Sequence, residues 1–201
     1  HARFGYLTAC PTNTGSGLRA SLLLHLPALA RMKAPLQKAL QAAQKSGLAV
    51  RGVHGEGSRA MGFLYQISNQ RTLGEEATSQ MEAVAAYGRE IVRYERSTRR
   101  HLMAEEGTRR ALLEDVKIAL SLLQDSTQLT TAEALDALST LRLGVLTGLL
   151  QEVASFEPDA LMLLQQMFAL QPGHLQARMG KEMTPSTRDR SRASLVREAL
   201  R

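Results

Sequence analysis

Two short segments of this chain combine residue types that could handle phosphate. Cys10-Pro-Thr-Asn-Thr-Gly-Ser-Gly-Leu-Arg19-Ala-Ser21 is a glycine-rich turn that runs into an arginine. Glycine lets a backbone approach a ligand closely and take torsions that other residues avoid. The N–H groups of such a turn can cradle an anion, and the planar guanidinium of Arg19 matches phosphate oxygens as a fork. A plain connector between two strands would have the same composition. Arg51-Gly-Val-His-Gly-Glu56-Gly places one arginine and one carboxylate around a glycine-bounded turn. By itself it reads equally as a β-turn with a surface ion pair. On neighbouring strands, the two segments together describe a phosphate pocket with a base beside it. A third segment, Arg188-Asp-Arg-Ser-Arg-Ala193, crowds arginines near the start of the last predicted helix, with Ser186 or Thr187 as its cap. Cations are disfavoured there by the helix dipole, and a bound anion would relieve the conflict. A solvated tail is the other reading.

These segments need elements to hold them. Phe4 to Cys10 is rich in aromatic and β-forming residues and stops at Pro11, which predicts a strand. Thr12 to Gly17 is a loop, and a second strand follows from about Arg19 to Leu26. Leu29, Met32, Leu36, Ala39, Leu40 and Ala43 recur at helical spacing, predicting one helix from about Ala28 to Lys45 that Gly47 stops. Strands are predicted at Leu48 to Val53 and Phe63 to Ser68, with a turn at Gly55 to Gly57 between them. From about Glu75 the pattern is helical. One long helix reaches about Glu106, and a second carries Leu112, Val116, Leu120 and Leu123. Thr130 with Glu133 is a capping-box signature opening a third. Two more are predicted at Asp159 to Leu170 and from about Arg188 to Leu200.

Composition sets the outer bounds. The chain of 201 residues is 44% hydrophobic and 22% charged, enough for a packed core with an ordinary surface. Its apolar runs are broken, as by His25 and Pro27 between Ser21 and Ala30, and none reaches the roughly 18 residues a membrane span needs. The net charge of +6 could serve nucleic acid, nucleotide phosphates or acidic proteins. With 4% aromatics and no Trp there is little to stack on bases, so nucleic-acid binding ranks last. A lone cysteine excludes a disulfide framework and fits a reducing, cytoplasmic compartment. His25, His101 and His174 lack metal-ligand spacing, so no protein-held metal is expected. Arg96, Arg99, Arg100 and His101 read as a solvated helix face.

The segments CPTNTGSGLRAS and RGVHGEGS, followed by Tyr65-Gln-Ile-Ser-Asn-Gln70, resemble the guanidino (phosphagen) kinase superfamily. More narrowly they resemble its bacterial protein-arginine kinase branch, whose RDxxRA motif is matched by Arg188 to Ala193. The resemblance runs from about Phe4 to the C-terminus and rests on several motifs in order. It departs at His54, where the family usually has Tyr, and at Arg59 and Phe63. It implies an α/β (α+β) fold: residues 1–106 as the C-terminal part of a catalytic domain with a mainly antiparallel sheet, and 107–201 as an α-helical domain. It implies ATP-dependent phosphorylation of protein arginines. The ATP phosphates would lie on Arg19, Ala20, Ser21, Leu22 and Leu23 and on Arg51, Gly52, Val53, His54, Gly55 and Glu56, with Mg²⁺ held by the ATP. Glu56 would be the catalytic base and Cys10 the reactive thiol near the guanidinium, unless Cys10 is a small buried hydrophobe. Arg188, Asp189, Arg192 and Ala193 would form an allosteric phosphoarginine pocket, in which an arginine grips the phosphate and Asp189 faces the guanidinium. The partners implied are protein substrates, a Clp-type unfoldase and protease, a zinc-binding activator, and a second copy through the helical part.

The chain starts at His1, and family members begin their catalytic domain well upstream, so a portion of a longer kinase is expected. Two rivals follow. One is a binding module that recognises phosphoarginine and catalyses nothing. The other is a kinase for free arginine or another small guanidine.

Overall fold

The structure is a computed structural model and describes residues 1–52, 60–74, 76–156 and 158–200. The chain divides into two compact units, His1–Thr98 and Arg99–Arg201. Among the described residues no helix is long and apolar enough to cross a membrane.

The first unit is built on a three-stranded antiparallel sheet. Strands β1 (Ser21–His25), β2 (Leu48–Gly52) and β3 (Leu64–Asn69) lie in the order β1-β3-β2. Leu23 of β1 and Arg51 of β2 both stand opposite Gln66, and Ser21 and Ala49 both stand opposite Ser68. Side chains alternate along each strand, so this register sorts them onto two faces. One carries Leu22, Leu24, Leu48, Val50, Tyr65 and Ile67, which form the core with Leu26 and Leu29. Helices α2 (Lys33–Lys45) and α3 (Ala77–Ala104) bring Leu36, Ala39 and Ala43, and Val84, Tyr87 and Ile91, to the same cluster. The other face carries Ser21, Leu23, Gln66, Ser68 and Arg51.

Several residues explain why these elements lie where they do. Pro27 starts the short helix α1 (Pro27–Arg31), where its fixed φ suits the first helical position. Glu95 on α3 is almost fully buried, and its carboxylate accepts the Ala28 and Leu29 N–H groups at 3.1 and 2.9 Å. A Cβ at Gly88 would come within 2.5 Å of Leu22 Cδ1, so glycine there lets α3 sit close against β1. The single helix predicted from Ala28 to Lys45 is in fact α1 and α2, divided at Met32, whose φ of −112° and ψ of 88° are not helical.

The strand predicted from Phe4 to Cys10 is not formed. It is reduced to one antiparallel bridge, Tyr6 to Gly15, after a turn at Gly5 with φ of +68°. Tyr6 and Leu7 are 73% and 69% exposed. β-forming residues make a strand only against a neighbour that pairs with them along their length, and the register here ends after one pair. Gly15 has φ of +119°, and a Cβ on it would lie 2.1 Å from the Thr72 carbonyl oxygen. Gly15→Ala is therefore expected to destabilise the first unit by about 1–3 kcal/mol through backbone strain. A denaturation midpoint equal to wild type would contradict the close approach.

The second unit is helical: α4 (Glu106–Asp125), α5 (Thr131–Thr147), α6 (Ala160–Ala169), α7 (Pro172–Met179) and α8 (Pro185–Ala199). Helix α5 is central, with Ala134, Leu135, Leu138, Leu141 and Leu143 all buried. A Cβ at Gly144 would approach Val116 Cγ2 to 2.9 Å, so glycine admits α4 at that point. The predicted capping box is present: Thr130 Oγ1 accepts the Glu133 N–H at 3.2 Å, and Glu133 Oε2 accepts the Thr130 N–H at 2.8 Å. The Thr130 hydroxyl, then its backbone N–H, hold the Glu133 carboxyl below the usual glutamate range. A carboxyl whose folded pKa is depressed contributes stability above its unfolded pKa and loses it as pH falls through the folded value. Thr130→Ala should thus cost about 1 kcal/mol at neutral pH, with the gap to wild type closing under acid. Equal unfolding midpoints for both proteins at pH 7 would contradict this.

Candidate active site

Arg19 and Arg51 line one cleft of about 380 Å³ on the open side of the sheet, together with Gly17, Leu18, Asn69 and Gln70. Arg51 comes from the penultimate position of β2, and Arg19 stands two residues before β1 on the side of Ser21. The Arg19 Nη2 reaches Ser68 Oγ on the central strand at 3.4 Å. Two guanidinium groups from separate elements beside a glycine turn make a concave, positive site that suits a polyphosphate. No opposing carboxylate lines this cleft among the described residues. Of the other residues implied for phosphate binding, Ser21 and Leu23 are exposed, Leu22 points to the core, Ala20 is half-buried, and Gly52 ends β2. Val53, His54, Gly55 and Glu56 lie outside the described residues.

Cys10 is exposed, which removes the reading of it as a small buried hydrophobe. Its carbonyl accepts the Thr8 hydroxyl at 2.6 Å and the Asn13 N–H at 3.0 Å, at the start of a 3₁₀ turn, Pro11–Asn13. Asn13 lines the cleft, so the loop carries Cys10 to its neighbourhood. The glycine loop is anchored by the segment that follows β3: Ser16 N–H donates to the Thr72 carbonyl at 2.9 Å, and Thr72 Oγ1 donates to the Thr14 carbonyl at 2.7 Å. Sequence reasoning had no signal for these anchors, because Thr72 stands in an unremarkable Arg-Thr-Leu context.

In the second unit, α8 starts earlier than predicted. Its cap is Thr184, whose hydroxyl accepts the Thr187 N–H at 3.3 Å, in place of Ser186 or Thr187. Arg188 is therefore beyond the first three helical positions, and Arg190 and Arg192 lie deeper still. The dipole argument for an anion at the helix end applies only within the first turn. Arg192 is fully buried. Its Nε donates to the Leu170 carbonyl at 3.0 Å, and its Nη1 donates to the Leu129 carbonyl at 2.5 Å and to Asp189 Oδ1 at 2.6 Å. Its Nη2 is buried with no hydrogen-bond partner among the described residues. Arg188 is half-buried and donates to the Met183 carbonyl at 2.8 Å, and Ala193 is buried. The segment is thus drawn together, but most of the Arg192 donor capacity faces inward.

Residues 1–98 match the family of the ATP:guanido phosphotransferase C-terminal catalytic domain, and residues 109–201 match the protein-arginine kinase McsB C-terminal domain. A protein-arginine kinase of Brevibacillus brevis is 41% identical over 197 residues, covering 98% of this chain and 53% of its own. Those of Halothermothrix orenii and Shouchella clausii are each 40% identical, over 98% and 100% of this chain and 54% of theirs. The chain spans about half the length of the curated relatives it matches. Among solved structures, the duplicated taurocyamine kinase of Schistosoma mansoni with bound transition-state analogue components is 32% identical, over 47% of this chain and 13% of that one, with a TM-score of 0.41. With both family matches in succession, and relatives of about 40% identity along nearly its whole length, the chain belongs to the protein-arginine kinase family of the ATP:guanido phosphotransferases.

Proposed function

We propose that this protein transfers the γ-phosphoryl group of ATP to arginine side chains of proteins. The observation that carries the reading is the pair Arg19 and Arg51 on one cleft of a unit that matches an ATP:guanido phosphotransferase domain. ATP with its Mg²⁺ supplies the transferable phosphoryl group. Arg19 and Arg51 hold its phosphate oxygens and offset charge as the group moves in line. A guanidinium has a pKa above about 12 and is a poor nucleophile when protonated. Glu56 orients it and accepts its proton, which frees a nitrogen lone pair to attack phosphorus while ADP departs. Cys10 stands near the guanidinium.

The helical part, residues 107–201, binds phosphoarginine through Arg188, Asp189, Arg192 and Ala193 and so senses the product. Support comes from the buried Arg192 Nη2, without a hydrogen-bond partner among the described residues, and the partly exposed Asp189 beside it. The setting we propose is cytoplasmic and stress-related: marked substrates pass to a Clp-type unfoldase and protease, a zinc-binding activator assists, and the helical part pairs with a second copy. The same Nη2 favours a second reading, in which this chain binds phosphoarginine and transfers nothing.

The test is incubation with γ-labelled MgATP, an unfolded arginine-rich protein and free arginine. Acid-labile label on the protein is the expected result. Label only on free arginine would move the assignment to a small-guanidine kinase. Binding of phosphoarginine without any transfer would leave the binding module.

A further inference from the structure

Asn69, the last residue of β3, grips the chain on both sides of Arg19. Its Oδ1 accepts the Ala20 N–H at 2.8 Å, and its Nδ2 donates to the Leu18 carbonyl at 3.0 Å. Its own backbone N–H donates to the Ala20 carbonyl at 3.2 Å. The peptide units before and after Arg19 are therefore both fixed by one residue. Nδ2 also reaches the Arg71 carbonyl at 3.1 Å and Gln80 Oε1 at 3.2 Å. Gln80, from the first turn of α3, takes the Ser16 hydroxyl on the same oxygen at 3.0 Å, and Ser16 Oγ accepts the Leu18 N–H at 3.3 Å. Both amides are buried, Asn69 to 9% exposure and Gln80 to 1%.

Two buried amides at a strand end are a costly arrangement unless their hydrogen bonds are met. Here they are met largely by the loop that carries Arg19. An arginine side chain has several free torsions, so the direction of its guanidinium depends on how firmly its Cα–Cβ bond is held. Ser68 Oγ touches the other end of the same side chain.

We infer that Asn69 is a positioning residue for nucleotide binding: it fixes the Leu18–Ala20 backbone and thereby aims Arg19 into the cleft, with Gln80 orienting the Asn69 amide. This rests on the proposed role of Arg19 as a phosphate ligand. Asn69 touches no phosphate in this scheme and acts only through Arg19, which gives it a signature that a merely structural residue lacks. Its effect on MgATP affinity disappears when Arg19 is absent.

The test is a calorimetric MgATP titration of the full 201-residue chain and of Arg19→Ala, Asn69→Leu, Gln80→Met and the Arg19→Ala/Asn69→Leu double variant, with circular dichroism checking that each is folded. Arg19→Ala and Asn69→Leu are each expected to weaken binding about tenfold, the usual worth of a charge-assisted hydrogen bond set. Gln80→Met, which keeps the volume and should fold even where Asn69→Leu does not, is expected to weaken it about three- to tenfold. The double variant should bind within about twofold of Arg19→Ala, because contacts acting through one group are not additive. Wild-type affinity in folded Gln80→Met, or full additivity in the double variant, would overturn the inference while Arg19 keeps its role. Unchanged affinity in Arg19→Ala, or no MgATP binding by the wild-type chain, would overturn the phosphate reading of Arg19 and the inference with it.

Discussion

Glu56→Gln is expected to lower phosphoryl transfer to protein arginine by roughly 10²–10⁴, the range that a positioned general base contributes, while MgATP affinity stays within about twofold. The amide keeps the volume of the carboxylate and an oxygen to orient the guanidinium, but it cannot accept the proton. An arginine that keeps its proton has no lone pair to offer phosphorus. The loss should therefore fall on kcat rather than on the nucleotide KM, since the interaction removed exists only as the N–P bond forms. Glu56→Asp retains a base on a side chain one methylene shorter and should recover part of the rate. Near-normal turnover in Glu56→Gln would remove Glu56 from this role and direct attention to another carboxylate.

Arg192→Ala is expected to be the most damaging single change to the helical unit. Its guanidinium ties α8 to the Leu129 segment between α4 and α5 and to the Leu170 end of α6. Removal leaves two carbonyls buried without donors and strips Asp189 of its partner. Breaking a buried, hydrogen-bonded charge cluster from one side costs about 3–5 kcal/mol, which for a unit of this size corresponds to a Tm lower by about 15 °C or more. Hydrogen exchange along α8 would show it directly: protection collapses in Arg192→Ala and is largely kept in Asp189→Asn, which preserves an acceptor oxygen. Protection unchanged in Arg192→Ala would contradict the embedded role. A consequence follows for ligand studies. Loss of phosphoarginine binding in Arg192→Ala mixes unfolding with lost contact, so Arg188→Ala, half-buried and bonded only to the Met183 carbonyl among the described contacts, separates the two better.

The order of elements was legible in the sequence wherever a periodic apolar pattern ran long enough. Helices α3, α4 and α5 and strands β2 and β3 follow from it within a few residues, and the Thr130–Glu133 capping box formed as its signature predicts. The failures have physical causes. Phe4 to Cys10 has strand composition, but pairing is a property of two segments, and only Tyr6 meets a partner. Helix α7 has eight residues with Leu175 as its buried anchor, too short for a period to show. The sequence predicts too late a start for α8 because Thr184-Pro-Ser-Thr offers three hydroxyl caps, and Pro185 at the first helical position decides for Thr184.

For the site, the two glycine-flanked arginines stood out in the sequence by type and spacing, and the fold brings both to one cleft. The residues that hold them did not stand out. Asn69 falls in the Tyr65–Gln70 segment, which carried no role for it, and Gln80 lies 11 residues further on; only the folded geometry brings the two amides to the loop before β1. Arg192 belongs to the segment singled out in the sequence, but its burial and its carbonyl partners follow only from the packing of α8.

The central claim is that phosphate goes from ATP to arginine within a protein, and phosphorus NMR reads that bond most directly. The chain would be mixed with MgATP, an unfolded arginine-rich protein and an equal concentration of free arginine, and the macromolecular fraction separated before acquisition. The account predicts a phosphoramidate resonance in the protein fraction that disappears on acid treatment and is absent with Glu56→Gln. A phosphoramidate confined to the small-molecule fraction, or ATP left intact by a chain that still binds phosphoarginine, would contradict it.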